Sequence, residues 1–175
     1  MIHDENINNK LLILFILGKL EMPIEEDLLL EMCSQEYNLI PYMFCKHVIF
    51  ELIEFGFIKK HLTEHNKIHL TITEEGRNCL DSFYNDIPKS LRDEVSNIIR
   101  RDKLEMKIKQ EFISDYYKNA DNTFTVALKI LNIDKEMLNI KLNVDKRQKA
   151  LALHNKWQTN APEVYKALSE ILLED

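Results

Sequence analysis

The alternation of apolar and polar positions is clearest from Ile68 to Ile72, where it has the period of a half-buried strand. A shorter apolar stretch at residues 57–62 predicts a partner strand, and the polar residues 63–67 between them predict the turn of a β-hairpin. Thr73 follows the strand that ends at Ile72 and can accept a hydrogen bond from a first-turn N–H. The chain is therefore predicted to pass from the hairpin into a capped helix without an intervening loop.

Three helices are predicted upstream of this hairpin, over about residues 6–20, 25–37 and 41–55. Pro23 separates the first two because it lacks an N–H and clashes with the preceding turn, and Gly56 can take the left-handed conformation that closes the third. In the third helix, apolar residues spaced by four, four and three positions predict a core-facing stripe. That stripe consists of Phe44, Val48, Leu52 and Phe55, and the residues predicted to face outward are Tyr42, Met43, Lys46, His47 and Phe50.

The second half of the chain is predicted to be a small α+β domain. Residues 88–103 have helical periodicity, whereas apolar residues from Leu104 onward alternate with polar ones in three segments. The three segments are residues 104–116, 124–130 and 138–144. They predict an antiparallel meander with one apolar face, and two helices, at residues 145–158 and from Pro162 onward, are predicted to cover that face.

The segment from Leu70 to Gly76 carries a family resemblance. It reads hydrophobic, any residue, hydrophobic, Thr, two acidic residues and Gly, which resembles the last strand of winged-helix transcription regulators, where that strand leads into a helix. Three helices followed by a hairpin is also the winged-helix order, in which the hairpin is the wing. In overall plan the chain is similar to an uncharacterised winged-helix family of unknown function whose members are regarded as regulators. The resemblance implies that the outward face of the third helix enters the major groove of DNA.

These patterns together predict an α+β chain in three parts. Residues 1–87 are predicted to form an N-terminal winged helix-turn-helix domain, and residues 88–103 a connecting helix. Residues 104–175 are predicted to form a C-terminal domain with a three-stranded antiparallel meander and two helices.

The distribution of charge argues against DNA binding by the predicted winged-helix domain. Residues 1–87 hold 7 Lys and Arg against 15 Asp and Glu, a net charge of −8, whereas residues 88–175 hold 16 against 14, a net charge of +2. Phosphate contacts require clustered cations, yet the third helix also carries Glu51 and Glu54. The candidate DNA-binding residues are Tyr42, Met43, Lys46 and His47 on the third helix and Lys59, Lys60 and Lys67 on the wing.

Two functions stay open at this point. The first is a transcriptional regulator that binds double-stranded DNA as a homodimer, with a C-terminal domain for dimerisation or ligand sensing. The second is a winged-helix interaction module that does not touch DNA, because Tyr42, Met43 and Phe50 are residue types that are enriched in protein interfaces. A homodimer is expected because two-fold dimers are the commonest oligomers. The run from Leu11 to Leu17 also has more apolar residues than a short helix needs, and Ala127 and Leu131 are predicted to face outward from the middle strand.

Other chemistry has little support in the sequence. The chain has three glycines, at positions 18, 56 and 76, and none lies in a phosphate-binding loop. No nucleophile motif is visible, so neither an enzymatic activity nor a cofactor is expected. His61, His65 and His69 lie close together on the hairpin, but without a nearby Cys they are a weak zinc signal. We expect them to be exposed wing histidines and expect no metal site.

Cysteine usage and hydropathy indicate the compartment. The three cysteines, Cys33, Cys45 and Cys79, are isolated and flanked by apolar residues, which predicts buried free thiols in a reducing environment. The apolar run from Leu11 to Leu17 is seven residues long, whereas about 20 are needed to span a bilayer. A cytoplasmic protein without a membrane anchor is therefore expected.

Overall fold

The computed structural model describes residues 2–63, 66–133 and 135–173. In this part the chain is α+β, with six α-helices and two three-stranded antiparallel sheets. It divides into two compact units, Met1–Met106 and Lys107–Asp175. The predictions that involve Glu64, His65 and Asp134 concern positions outside the described residues. No described helix is both long and apolar enough to cross a membrane.

The first unit alternates helices with a small sheet. Its elements are α1 (Ile2–Leu20), β1 (Ile24–Glu25), α2 (Glu26–Glu31), a π-helical turn (Met32–Glu36), α3 (Tyr42–Glu54), β2 (Ile58–Leu62), β3 (Ile68–Ile72), α4 (Glu74–Phe83), a 3₁₀ turn (Tyr84–Asp86) and α5 (Lys89–Glu111). β3 is the middle strand of the sheet and pairs with both β1 and β2. Ile58 lies opposite Ile72 and Ile24 opposite Leu70, so apolar side chains of all three strands share the face that packs on the helices.

The core of the first unit is built around α1. All seven residues from Leu11 to Leu17 are buried, as expected for a helix that is apolar on every side and enclosed by other elements. Val95, Ile99 and Met106 of α5 belong to the same core. α5 therefore contributes to the packing of this unit in addition to linking it to the residues that follow.

The predicted core stripe of α3 is partly wrong. Phe44 and Phe55 are 60% and 59% exposed, because each step of four residues turns about 40° past a full helical turn and carries the ends of such a stripe away from the core. The buried stripe has the amphipathic spacing i, i+3, i+4, i+7 instead. It consists of Cys45, Val48, Ile49 and Leu52.

The strand predicted from Leu104 is also corrected. α5 continues to Glu111, and the strand begins only at Phe112. Residues 104–111 are rich in Glu, Lys, Met and Gln, which favour helix. Extending an existing helix needs no new nucleus, so this preference outweighs the alternating pattern.

The second unit is an antiparallel meander covered by one helix. Its strands are β4 (Phe112–Lys118), β5 (Phe124–Asn132) and β6 (Lys135–Val144), in the order β4-β5-β6. This confirms the three-stranded antiparallel sheet. Leu131, which was expected to face outward, is buried beside a register shift between Ile130 and Leu131.

The two helices predicted after the meander are one helix, α6 (Arg147–Leu173), with Pro162 inside it. Ala150, Trp157 and Ala161 are buried against Val126, Leu128 and Ile130 of the sheet. The Trp157 Nε1–H also donates a hydrogen bond to the Lys129 carbonyl at 3.0 Å. Val164, which follows Pro162, also packs against this cluster. Packing on both sides of Pro162 thus keeps the chain helical, although proline removes one backbone hydrogen bond.

Candidate interaction surface

The orientation of α3 is set by the junction between its C-terminus, the hairpin and α4. The hydroxyl of Thr73 accepts a hydrogen bond from the N–H of Gly76 at 3.1 Å and donates one to the carbonyl of Gly56 at 2.7 Å. This confirms the predicted helix cap. Gly56 closes α3 with a φ of 75°, which glycine adopts without strain. A Cβ at Gly76 would lie 2.2 Å from the carbonyl oxygen of Phe57, so the junction is packed backbone against backbone.

A line of four exposed residues forms the centre of the outward face of α3. Met43, His47, Phe50 and Glu54 are spaced by four, three and four residues, which places them on one line along the helix. Met43 is 73% exposed and Phe50 is 60% exposed, and His47 and Glu54 are exposed as well. The centre of this face therefore combines two large apolar side chains with a carboxylate. Tyr42 and Lys46 flank it on one side, and Phe44, Glu51 and Phe55 flank it on the other.

Glu51 is tied to α1. Its carboxylate accepts a hydrogen bond from the Asn6 amide at 3.2 Å and lies 3.2 Å from the ammonium of Lys10 and 3.7 Å from His47 Nε2. The hydrogen bonds from Asn6 and Lys10 lower the pKa of Glu51. Lys10 also lies 5.1 Å from the centre of the Phe55 ring. The charge of Glu51 is thus balanced within the fold.

The neighbouring lysines of the β2–β3 hairpin, Lys59 and Lys60, do not lie on one face. Lys59 and Lys60 are both exposed, but neighbouring residues of a strand point to opposite sides of the sheet. Lys59 lies opposite Thr71 and Lys60 opposite Leu70. A basic stripe that includes both on a single flat surface is therefore absent from the described part of the hairpin.

Lys67 is exposed but paired. Its ammonium lies 3.2 Å from a carboxylate oxygen of Glu25 in β1. Lys67 and Glu25 line a small cavity of about 70 Å³, and Glu26 and Asp27 line it as well. Lys67 thus lies in an acidic environment, which weakens its attraction for a phosphate.

The histidines of the β2–β3 hairpin differ from one another in burial. His61 is exposed, whereas His69, directly opposite it, is buried. The expectation of an exposed His69 is wrong because β1 adds a third strand, and Glu25 of that strand lies beside His69 in register. His65 lies outside the described residues. Among the residues that the structure describes, no group of three His, Cys, Asp or Glu side chains could hold a metal ion.

The sequence model of the family DUF4364, a domain of unknown function, matches residues 9–172 of the chain. The chain belongs to the DUF4364 family. No curated protein and no solved structure matches it. The description of DUF4364 names no activity.

Two further clusters of this DUF4364 protein support α3 and its surroundings from within. Cys33 and Cys45 are buried free thiols, and a hydrogen bond between them, together with burial, raises the pKa of Cys33 well above its ordinary value. Tyr37 donates a hydrogen bond to Asp102, and Arg101 Nη2 donates one to the Tyr37 hydroxyl at 2.7 Å. The hydrogen bond to Asp102 raises the pKa of Tyr37. The first cluster joins the π-helical turn to α3, and the second joins the end of that turn to α5.

Some residues of the site were missed by sequence reasoning. Glu54 was recognised as a carboxylate of the third helix, but it was not placed at the centre of the outward face, where it follows Phe50 by one helical turn. The opposite directions of Lys59 and Lys60 also follow from strand alternation. Asn6 and Lys10 had no such signal, because they are 45 and 41 positions away from Glu51 in the chain and meet it only in the folded unit.

Proposed function

We propose that the N-terminal unit is a winged-helix interaction module whose α3 binds a protein rather than the groove of DNA. The order of three helices, a hairpin and a capped helix supports the winged-helix arrangement. In this arrangement β2 and β3 are the wing, and α3 is the helix presented to the partner.

The observation that carries the proposal is the composition of the outward face of α3. A groove-reading helix presents hydrogen-bonding side chains to base edges and cations to phosphates. The centre of this face has one side chain of that kind, His47, and its other three members are Met43, Phe50 and the carboxylate of Glu54. Methionine and aromatic residues are enriched in protein interfaces, whereas a carboxylate is repelled by the phosphates on both sides of a groove.

The wing supports the same proposal. Its lysines are divided between two faces of the hairpin, and Lys67 is paired with Glu25. Residues 1–87 as a whole carry a net charge of −8. The electrostatic attraction that supplies most non-specific DNA affinity is therefore weak over this unit.

DNA binding is the second candidate, and one observation favours it. Lys46, Lys59 and Lys60 are exposed on α3 and the wing, where a winged helix contacts a duplex. In this candidate Lys59, Lys60 and Lys67 contact phosphates, and Tyr42, Met43, Lys46 and His47 approach base edges. The protein would then be a cytoplasmic transcriptional regulator, and its second unit would serve dimerisation or ligand sensing.

Photo-crosslinking from α3 tests the proposal. A photoreactive phenylalanine analogue replaces Phe50, and the full chain is irradiated inside its own host cell. We expect a discrete covalent adduct that survives nuclease and is destroyed by protease, because the exposed Phe50 ring lies at the centre of the interface. The matched control carries the same analogue at Lys156, which is exposed on α6 of the second unit, and should give no such adduct.

The opposite result would support the DNA candidate. An adduct that nuclease removes would overturn the proposal if the purified chain also bound random duplexes with an affinity that falls steeply between about 50 and 200 mM salt. In that case Lys59→Ala and Lys60→Ala should weaken binding to all sequences alike, and Lys46→Ala should change sequence preference.

A further inference from the structure

We infer that the partner of α3 is a second copy of this chain, an inference that rests on the proposed function. Lys46, Phe50 and Glu54 are spaced by four residues each and form a single row on the exposed side of α3. All three side chains are exposed. The row therefore presents a cation, an aromatic ring and an anion in sequence along the helix.

This row is complementary to itself. A two-fold axis through Phe50 pairs α3 with an antiparallel α3 of a second copy and brings the two Phe50 rings together. Lys46 and Glu54 each lie about 6 Å from Phe50 along the helix axis, in opposite directions. Lys46 of one copy then faces Glu54 of the other, and the symmetry forms the same ion pair twice.

The charges of the row are available for a partner. The side chains of Lys46 and Glu54 form no ion pair or hydrogen bond with any other residue that the structure describes. Glu51, the other carboxylate of α3's outer surface, is already balanced by Lys10 and Asn6. Met43 lies on the same face of α3, two turns before Phe50, and is 73% exposed, so it adds apolar area towards the edge of the interface. Opposite charges around an apolar centre are the arrangement that gives an interface its register.

Charge reversal tests the pairing by sedimentation velocity of the full chain at up to about 100 μM. Lys46→Glu and Glu54→Lys each place like charges opposite one another twice, so each should raise the dimer dissociation constant by about tenfold or more. The double variant exchanges the two charges and should restore the dimer. An equimolar mixture of the two single variants should form a heterodimer, because each charge then meets its opposite again.

Lys156→Glu and Glu163→Lys are matched reversals at exposed positions of α6 and should leave the dissociation constant unchanged. A parent chain that is monomeric at about 100 μM would overturn the inference, as would a dimer that both single variants leave unchanged. The inference would also be overturned if neither the double variant nor the mixture of single variants formed the dimer.

The crosslinking experiment separates this inference from the proposed function. A protein adduct at position 50 with about twice the mass of the chain supports both. A protein adduct of another mass, found together with a monomeric parent, retains the protein interface on α3 and rejects the second copy. A nucleic-acid adduct, found together with salt-sensitive binding of the purified chain to random duplexes, rejects both.

Discussion

At the scale of single residues, Thr73 and Gly76 determine how α3, the hairpin and α4 meet. The cap at Thr73 could be predicted, because a threonine before two acidic residues is a local pattern. The need for glycine at position 76 could not be derived in the same way. It arises because the carbonyl of Phe57, 19 positions earlier, lies where a Cβ would be, and that approach exists only after the hairpin has folded.

Gly76→Ala is expected to destabilise the first unit by about 3 kcal/mol, because the methyl group meets a backbone carbonyl that cannot rotate away. Guanidinium unfolding followed by circular dichroism would measure the loss. Asn78→Ala is the control, since Asn78 is exposed on the same helix, and its effect should stay within about 0.5 kcal/mol. An equal stability of the Gly76→Ala chain and the parent would show that Phe57 and Gly76 are not in contact.

At the scale of elements, periodicity predicted which segments are regular but not always where they end. The hairpin and the three-stranded meander were found from local alternation, because each strand shows one face to a core and one to solvent. The strand predicted at residues 104–111 is helical because helix propensity and an existing helix outweighed a short alternation. The helices predicted on either side of Pro162 are continuous because the sheet holds both halves.

Pro162→Ala is expected to stabilise the second unit by roughly 1–3 kcal/mol, because alanine restores a backbone hydrogen bond and relieves the clash with the preceding turn. Trp157, the single tryptophan, is buried in that unit, so its fluorescence during denaturant unfolding reports the change. Glu163→Gln, at the next exposed position, should shift stability by less than about 0.5 kcal/mol. A loss of stability in the Pro162→Ala chain would mean that the proline shapes the helix for its contact with the sheet.

At the scale of the whole molecule, the acidic character of the first half was visible in the sequence, but its spatial arrangement was not. Counting charges identified a unit poorly suited to phosphate contacts. The pairing of Lys67 with Glu25 depends on β1, a two-residue strand too short to have a pattern of its own. To predict the exposed centre of α3, one needs both the helical period and the identity of the face that the core covers.

Self-association through the outward face of α3, in place of DNA binding, should be visible at individual residues. Amide NMR spectra of the chain, recorded on dilution from about 500 to 10 μM and again with a random duplex added, test it residue by residue. We expect the signals of Met43, Lys46, Phe50 and Glu54 to move with chain concentration and to stay unchanged when the duplex is added. If the signals of α3 and of the β2–β3 hairpin are independent of concentration but shift on addition of the duplex, the face binds DNA and not a second copy.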